Sequence, residues 1–507
     1  MRPSNLAIPT RVAVAVIMTL STLVVMLSTS VSSASAQGTA SNPTVTGPIL
    51  PSDGIEPSTL ATTFPLSQVG YTQSEYFISG RATSYVPTGD ASCDTSCTAG
   101  PLNGQLSVMP YSTAPYTTRV VVYRPRDPYK FNGTVMVEWL NVTGGLDDAP
   151  DWVLTHNELI REGFAWVGVS AQAVGVNALK TSDSARYGSL SDPGDSYSYD
   201  IFSQAGQAVW DNSAQLLGGL TPQHVIAMGE SQSAGRLTTY IDAVAPVVNV
   251  YNGYLVHSRI GTPAALSQSP QPAVSVPTSI QFRTDISTPV FEFETETDVS
   301  GTTLYDRQPN TNQFRLWEVA GGSHFDYYGL FVGPNDTGNG QGAILNLAAM
   351  QNPPTTIPGL GTCTDPINTS GTHWVLDAAV WWLNQWVVNG SAPPIPPLLQ
   401  VTTTPGEPVV FAKDGFGNVL GGVRSPQVDE PIATLSGVGN TGGLAGFCAI
   451  FGRTLPFSPT QLASLYPTHA QFVLQWDLVT FKDLLGGYLL LPDALELDNS
   501  ALVSNIG

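Results

Sequence analysis

The chain has 507 residues, of which 42% are hydrophobic and only 11% charged, with a formal net charge of −20. That length suits one long α/β unit with insertions, and the apolar share supports a large core rather than a disordered chain. The negative balance repels phosphate backbones and anionic lipid surfaces, so nucleic acid is excluded as an expected partner. At the N-terminus, Arg2 and Arg11 flank the start of an apolar run, Val12 to Leu27, and small residues follow up to Ala34-Ser35-Ala36. This is the pattern of a secretory signal with cleavage after Ala36, which predicts a secreted or cell-envelope protein. The run is shorter than the roughly 20 residues a membrane span needs, and no later stretch is apolar enough, so no stable membrane insertion is expected.

Residues 37–115, rich in Ser, Thr, Pro and Gly, read as a leader with irregular strands. From residue 116 to 395 the pattern is regular. Strands are predicted at Thr118–Tyr123, Thr134–Leu140, Phe164–Ser170, His224–Met228, Val247–Val256, Thr288–Glu294 and Phe314–Val319. Helical spacing falls between them at Trp152–Glu162, from Ile201 to Val209 after a cap at Asp195 or Ser198, and from about Ala234. A further helix is predicted at Trp374–Val388. Alternating helices and near-continuous apolar strands predict an α/β fold with a mostly parallel central sheet covered by helices on both faces. Residues 258–286, rich in Ser, Pro and Gln, read as an insertion. Residues 396–507 read as a C-terminal extension packed on the core, with a helical segment from about Pro459 to Leu485 that either caps the active site or extends the core.

The stretch from His224 to Gly235, HVIAMGESQSAG, carries the chemistry. A buried strand runs into a tight turn and a helix, the setting of a nucleophilic serine, which needs small residues two places before and after it. Around Ser231 these are Gly229 and Ser233, so Ser stands where the usual motif has Gly. Centring on Ser233 is the rival, and a plain strand–helix turn is the bland alternative. A nucleophilic serine needs a base, and the base an orienting acid, in the chain order Ser, acid, His. His324 follows the seventh strand in WEVAGGSHFD and is the expected base; His257, His373, His469 and the upstream His156 are expected to be structural or pocket-lining. Asp298, past the sixth strand, is the expected acid, with Glu296 as the alternative. Oxyanion donors are expected from the backbone of Gln232 and of the loop at Asn141 and Val142, where Gly144 and Gly145 allow close approach. Asp147, Asp148 and Asp151 are expected to cap the helix at Trp152, with lining the mouth of the site as the alternative.

Four cysteines in an exported chain suggest disulfides; a local Cys93–Cys97 bridge, which would leave Cys363 to pair with Cys448, is one of three pairings between which the sequence does not choose. A zinc site is disfavoured, since no histidine lies near the one C-x-x-x-C pair. The glycines at 338, 340 and 342 follow no predicted strand, which argues against a dinucleotide site, and the aspartate cluster at 147–151 matches no EF-hand loop. No metal and no cofactor is implied.

The segments VEWLNVTGG (137–145), DPGDSYSYDIFSQAG (192–206), GESQSAGR (229–236), TETDV (295–299), RLWEVAGGSH (315–324) and AGFCAIFGRTLPF (445–457) resemble a family of exported bacterial α/β-hydrolase-domain proteins, from about Thr44 to the C-terminus. The resemblance implies an α/β-hydrolase fold and a triad of Ser231, His324 and an acid, but no substrate. The expected activity is that of a serine hydrolase cleaving small-molecule carboxylic esters through an acyl-enzyme. A peptide, amide or lactone hydrolase with the same triad is one alternative, and a non-catalytic cell-envelope binding protein is another.

Overall fold

The computed structural model describes residues 40–50, 61–88, 104–259, 263–276, 280–301, 303–403 and 407–507. The expected signal segment and the Cys93–Cys97 pair lie outside the described residues. Nine strands form the main sheet: β1 (Thr44–Thr46), β2 (Tyr71–Pro87), β3 (Val108–Pro125), β4 (Thr134–Trp139), β5 (Ala165–Val169), β6 (His224–Glu230), β7 (Gly253–His257), β8 (Val290–Thr295) and β9 (Phe314–Val319). Their order is β1-β2-β3-β5-β4-β6-β7-β8-β9. From β5 to β9 every neighbouring pair is parallel, whereas β1, β2 and β3 pair antiparallel.

The parallel strands are apolar on both faces because each face has its own core. Along β6, Val225 and Ala227 join one core and Ile226 and Met228 the other, the period of two that a pleated strand imposes. The first core takes helices α2 (Ser198–Asp211) and α3 (Gln232–Thr239), through Phe202, Ala205 and Leu237. The second takes α1 (Pro150–Arg161) and, after the short helix α4 (Glu296–Gly301), α5 (His373–Asn389), through Trp152, Leu159 and Trp374. The C-terminal helices α6 (His469–Gly486) and α7 (Leu491–Leu502) join that second core through Phe472, Trp476 and Leu497.

Three expectations are corrected. The segment read as irregular before residue 116 contains two strands of 17 and 18 residues, paired from Tyr71↔Pro125 to Pro87↔Val108, and β3 runs through the boundary drawn at 115. Its first half is largely solvent-facing, so it carries Ser, Thr and Tyr rather than an apolar run, and pairing to β2 holds it extended. The expected strand at Val247–Val256 starts only at Gly253: Pro246 sits in a helical turn, Ala245–Val248, that ends at Asn249 with φ 43°. The expected helix over Pro459–Leu485 is broken at Pro467, and Thr468 caps the restart by accepting from the Gln471 N–H.

The C-terminal segment also covers the sheet edge. Beside β9, Val423 donates to the Glu318 carbonyl at 2.7 Å and accepts from the Ala320 N–H at 3.0 Å, which satisfies backbone groups that an open edge would expose. Cys363 and Cys448 form a disulfide, with Cα atoms 5.5 Å apart. Among the described residues no helix is long and apolar enough to cross a membrane.

Candidate active site

Strand β6 delivers its last residues into a turn that the backbone holds tightly. Ser231 has φ 59° and ψ −117°, a conformation that costs an L-residue energy and persists where the surroundings enforce it. Its N–H donates to the His257 carbonyl at 3.0 Å, and its carbonyl accepts from the Gly235 N–H at 3.0 Å. A Cβ at Gly229 would lie 3.1 Å from the Ser233 carbonyl carbon and oxygen, a tight approach to helix backbone that glycine avoids. Ser233 is fully buried. Its hydroxyl donates to the Glu230 carbonyl at 2.8 Å and accepts from the Glu230 N–H at 3.1 Å. This explains why serine stands at the usual glycine place, and it engages the rival hydroxyl in the turn itself.

Ser231 Oγ and His324 Nε2 lie within hydrogen-bond distance at 2.8 Å, and His324 Nδ1 donates to Asp298 Oδ1 at 2.7 Å. His324 lies on the loop after β9, where Gly321 takes φ 72° and the His324 N–H donates to Thr297 Oγ1 at 3.1 Å. Asp298 sits in helix α4, directly after β8. Its second oxygen accepts from the Thr295 N–H at 2.7 Å and from the Thr295 hydroxyl at 2.6 Å, which fixes the carboxylate. Burial acts against ionisation of Asp298, but the His324 charge and these hydrogen bonds prevail and hold its carboxyl below the usual range. Burial likewise disfavours the His324 imidazolium. The charges of Asp298 and Glu230 outweigh it and push the ring up to about 9. Glu296, the alternative acid, points elsewhere: it accepts from the N–H groups of Gly321 at 2.6 Å and Gly437 at 2.9 Å, joining the His324 loop to the C-terminal segment. Burial pushes it up to about 7.

Glu230 was not singled out from the sequence. Its Oε1 lies 3.4 Å from His324 Nε2 and its Oε2 accepts from Asn141 Nδ2 at 3.2 Å. Burial pushes it up to about 7, against the pull of His324. Of the expected oxyanion donors, the Gln232 N–H opens helix α3, where first-turn N–H groups have no intrahelical partner. The Val142 N–H makes only a long 3.4 Å contact to Gln232 Oε1. The Asn141 N–H donates to the Asp148 carbonyl at 2.9 Å, and its side chain bridges to Glu230, so Asn141 shapes the loop.

The aspartate cluster does not cap α1 as expected. Glu138, from inside β4, accepts from the Asp151 N–H at 3.0 Å, the Trp152 N–H at 2.9 Å and Trp166 Nε1 at 2.8 Å. A lone carboxylate in the apolar run TVMVEWL was the available signal. Asp147 instead pairs with Arg119 at 2.7 Å, and Asp151 with His257 Nδ1 at 2.8 Å beneath the site. Asp148 accepts from the Ala149 N–H at 2.9 Å, and burial pushes it up to about 6. His156 is buried among backbone carbonyls, His373 stacks on Tyr328, and His469 bonds the Ile506 carbonyl. Among the described residues no cluster of His, Cys, Asp and Glu could hold a metal ion.

A cavity of about 550 Å³ opens over Ser231 and His324, lined by Asn141, Asp148 and Glu230 and by aromatic and aliphatic side chains. A hydroxyl poised on an imidazole that a buried carboxylate orients can attack an electrophilic carbon and pass its proton to the ring.

No curated protein matches the chain. Similar solved structures include a carboxylesterase from Lactobacillus plantarum, at 13% identity over 38% of this chain and 71% of that one, with a TM-score of 0.25. An α/β serine hydrolase homologue from Coxiella burnetii has 13% identity over 41% and 84%, with a TM-score of 0.25. An α/β serine hydrolase without a lid from Xanthomonas campestris has 13% identity over 47% and 83%, with a TM-score of 0.26. The model of one family, described as an alpha/beta hydrolase domain, matches residues 45–499, a span that takes in the sheet, the serine turn and the loop of His324. The chain belongs to this alpha/beta hydrolase domain family.

Proposed function

We propose that the protein is a serine hydrolase that cleaves carboxylic esters through an acyl-enzyme intermediate. The relay from Ser231 Oγ through His324 to Asp298, at 2.8 and 2.7 Å, carries this reading. Ser231 Oγ attacks the ester carbonyl carbon while its proton passes to His324 Nε2. The carbonyl oxygen becomes an oxyanion, met by the N–H groups of Gln232 and Val142. Asp298, kept ionised, stabilises the imidazolium and holds the ring's tautomer. Collapse breaks the bond to the alkoxy oxygen, which leaves with the proton from Nε2. Water then gives a proton to His324 and attacks the acyl carbonyl, releasing the acid and restoring the Ser231 hydroxyl. An activated ester needs less leaving-group assistance than an amide, which puts esters first. Export is part of the same proposal, supported by the N-terminal charge and apolar pattern and by the Cys363–Cys448 disulfide.

The test is fluorophosphonate labelling of the protein, read by intact mass and peptide mapping, beside Ser231→Ala. One adduct on Ser231, absent from the variant, is expected. Folded wild-type protein that takes no label, or takes it on Ser233, sinks the assignment.

A further inference from the structure

Part of the cavity's lining comes from outside the strand–helix core. Two segments build it, 357–363 and 447–451, joined by the Cys363–Cys448 disulfide. They also pair through backbone: the Leu444 N–H donates to the Leu360 carbonyl at 2.6 Å, and the Gly443 N–H to the Thr362 carbonyl at 3.1 Å. The disulfide is the centre of a small separate apolar cluster with Ile357, Ile367 and Phe451, onto which Phe325, Leu330, Leu360, Phe447 and Ile450 pack. Five of those side chains, with Phe451, face the cavity. The rings of Phe447 and Phe451 lie nearly parallel, 15° apart with centroids at 6.4 Å. The wall is registered to the relay, because the Phe325 N–H, next to His324, donates to the Ile450 carbonyl at 3.2 Å.

Charge restricts the occupant further. Asp148 and Glu230 line the cavity, and among the described residues no Lys or Arg does. A substrate carboxylate or phosphate would find no cation there and would meet two carboxylates. The volume of about 550 Å³ falls within the range of small-molecule sites, on the order of 300–1,000 Å³.

Building on the serine-hydrolase reading, we propose that the disulfide-joined wall is the specificity element and that the substrate is an uncharged ester with one apolar group, an aryl ring or an alkyl chain of medium length. The other side of the ester is small or polar. The wall gains little from an acetate, and gains hydrophobic contact with each carbon added until the cavity is full.

Methyl esters test this, because methanol keeps one side of the bond small. Hydrolysis of methyl acetate, methyl benzoate, methyl octanoate and monomethyl suberate would be followed by pH-stat at pH 8. Suberate has the length of octanoate but ends in a carboxylate. Expected are kcat/KM values for benzoate or octanoate at least 100-fold above acetate, and suberate at least 100-fold below octanoate. In Phe447→Ala, whose side chain is only half-buried, the ratio of octanoate to acetate should fall about tenfold. The double variant Cys363→Ser/Cys448→Ser should lower it too; if it does not fold, Phe447→Ala decides alone. Protein that labels on Ser231 yet shows a flat chain-length profile, or an unchanged ratio in Phe447→Ala, overturns the wall assignment and leaves the hydrolase reading standing. Rapid turnover of the suberate ester overturns the charge restriction. Failure to label at Ser231 removes the hydrolase reading and this proposal together.

Discussion

Each ring nitrogen of His324 faces a carboxylate. Asp298 accepts from Nδ1 at 2.7 Å, and Glu230 lies 3.4 Å from Nε2, beside the bond to Ser231. Both charges favour the imidazolium, and the ring is pushed up to about 9 despite its burial. A general base works only when neutral. The proposed activity therefore rises with pH and levels off only above about 9. Glu230 is ionised above about 7, so its charge acts over the upper part of that rise. Glu230→Gln removes the charge and keeps an oxygen for Asn141 Nδ2. The acid limb of the kcat/KM profile should move down by about one unit, the size expected of a charge at this range. Activity should then rise at pH 7 and fall severalfold at pH 9, where the imidazolium formed in the transition state loses a stabilising charge. A pH profile of the variant whose limb does not move would remove Glu230 from the account.

At the scale of elements, the turn between β6 and α3 depends on space at residue 229. A Cβ there must be accommodated by helix backbone at 3.1 Å, which does not yield as a side-chain tip would. Gly229→Ala is expected to cost about 1–3 kcal/mol of stability. It should slow fluorophosphonate labelling by about tenfold, because the shift displaces the Gln232 N–H along with Ser233. Labelling at wild-type rate with unchanged Tm would show that the turn tolerates the methyl group. This turn was readable in sequence, because strand, glycine, serine and helix stand next to one another. The parallel strands were readable for a similar reason: burial on both faces demands an apolar run. The β2–β3 hairpin was not, since the first half of β3 faces solvent and carries no apolar run, and its extended form is set by pairing to β2. Glu230 stood in plain view within the motif, but its contact with His324 spans 94 residues of chain and emerges only once β6 and β9 are brought into one sheet. The same holds for Asp151 with His257, 106 residues apart. Ser231, Asp298 and His324 could be put forward together from sequence because each follows a strand of the parallel sheet, β6, β8 and β9, and residue order marks those places.

Across the whole molecule, the C-terminal helices are held by apolar packing in the second core and by a buried ion-pair cluster centred on Arg161. From the end of α1 Arg161 bonds Asp493 of α7 through two nitrogens at 2.5 and 2.7 Å, reaches Glu158 at 2.5 Å, and lies 3.9 Å from Asp377 of α5. One guanidinium thus serves three buried carboxylates from three helices. Burial pushes Glu158 up to about 8 even with Arg161 beside it, and burial raises Asp377 and Asp493 as well. A carboxyl whose folded pKa exceeds its unfolded value stabilises the fold fully below the unfolded value and loses that contribution as pH rises, for Glu158 through about 8. Without Arg161 all three lose their counter-charge, hold their protons more tightly, and must be ionised at greater cost at high pH. Arg161→Met should therefore lower stability by about 3–5 kcal/mol near pH 9, the usual cost of leaving buried charge unpaired. At pH 5, where protonation relieves the repulsion, the loss should be clearly smaller. Calorimetric Tm values of wild type and variant at the two pH values give the comparison. An equal deficit at pH 5 and pH 9 would mean that Arg161 holds the helices by packing of its stem rather than by charge.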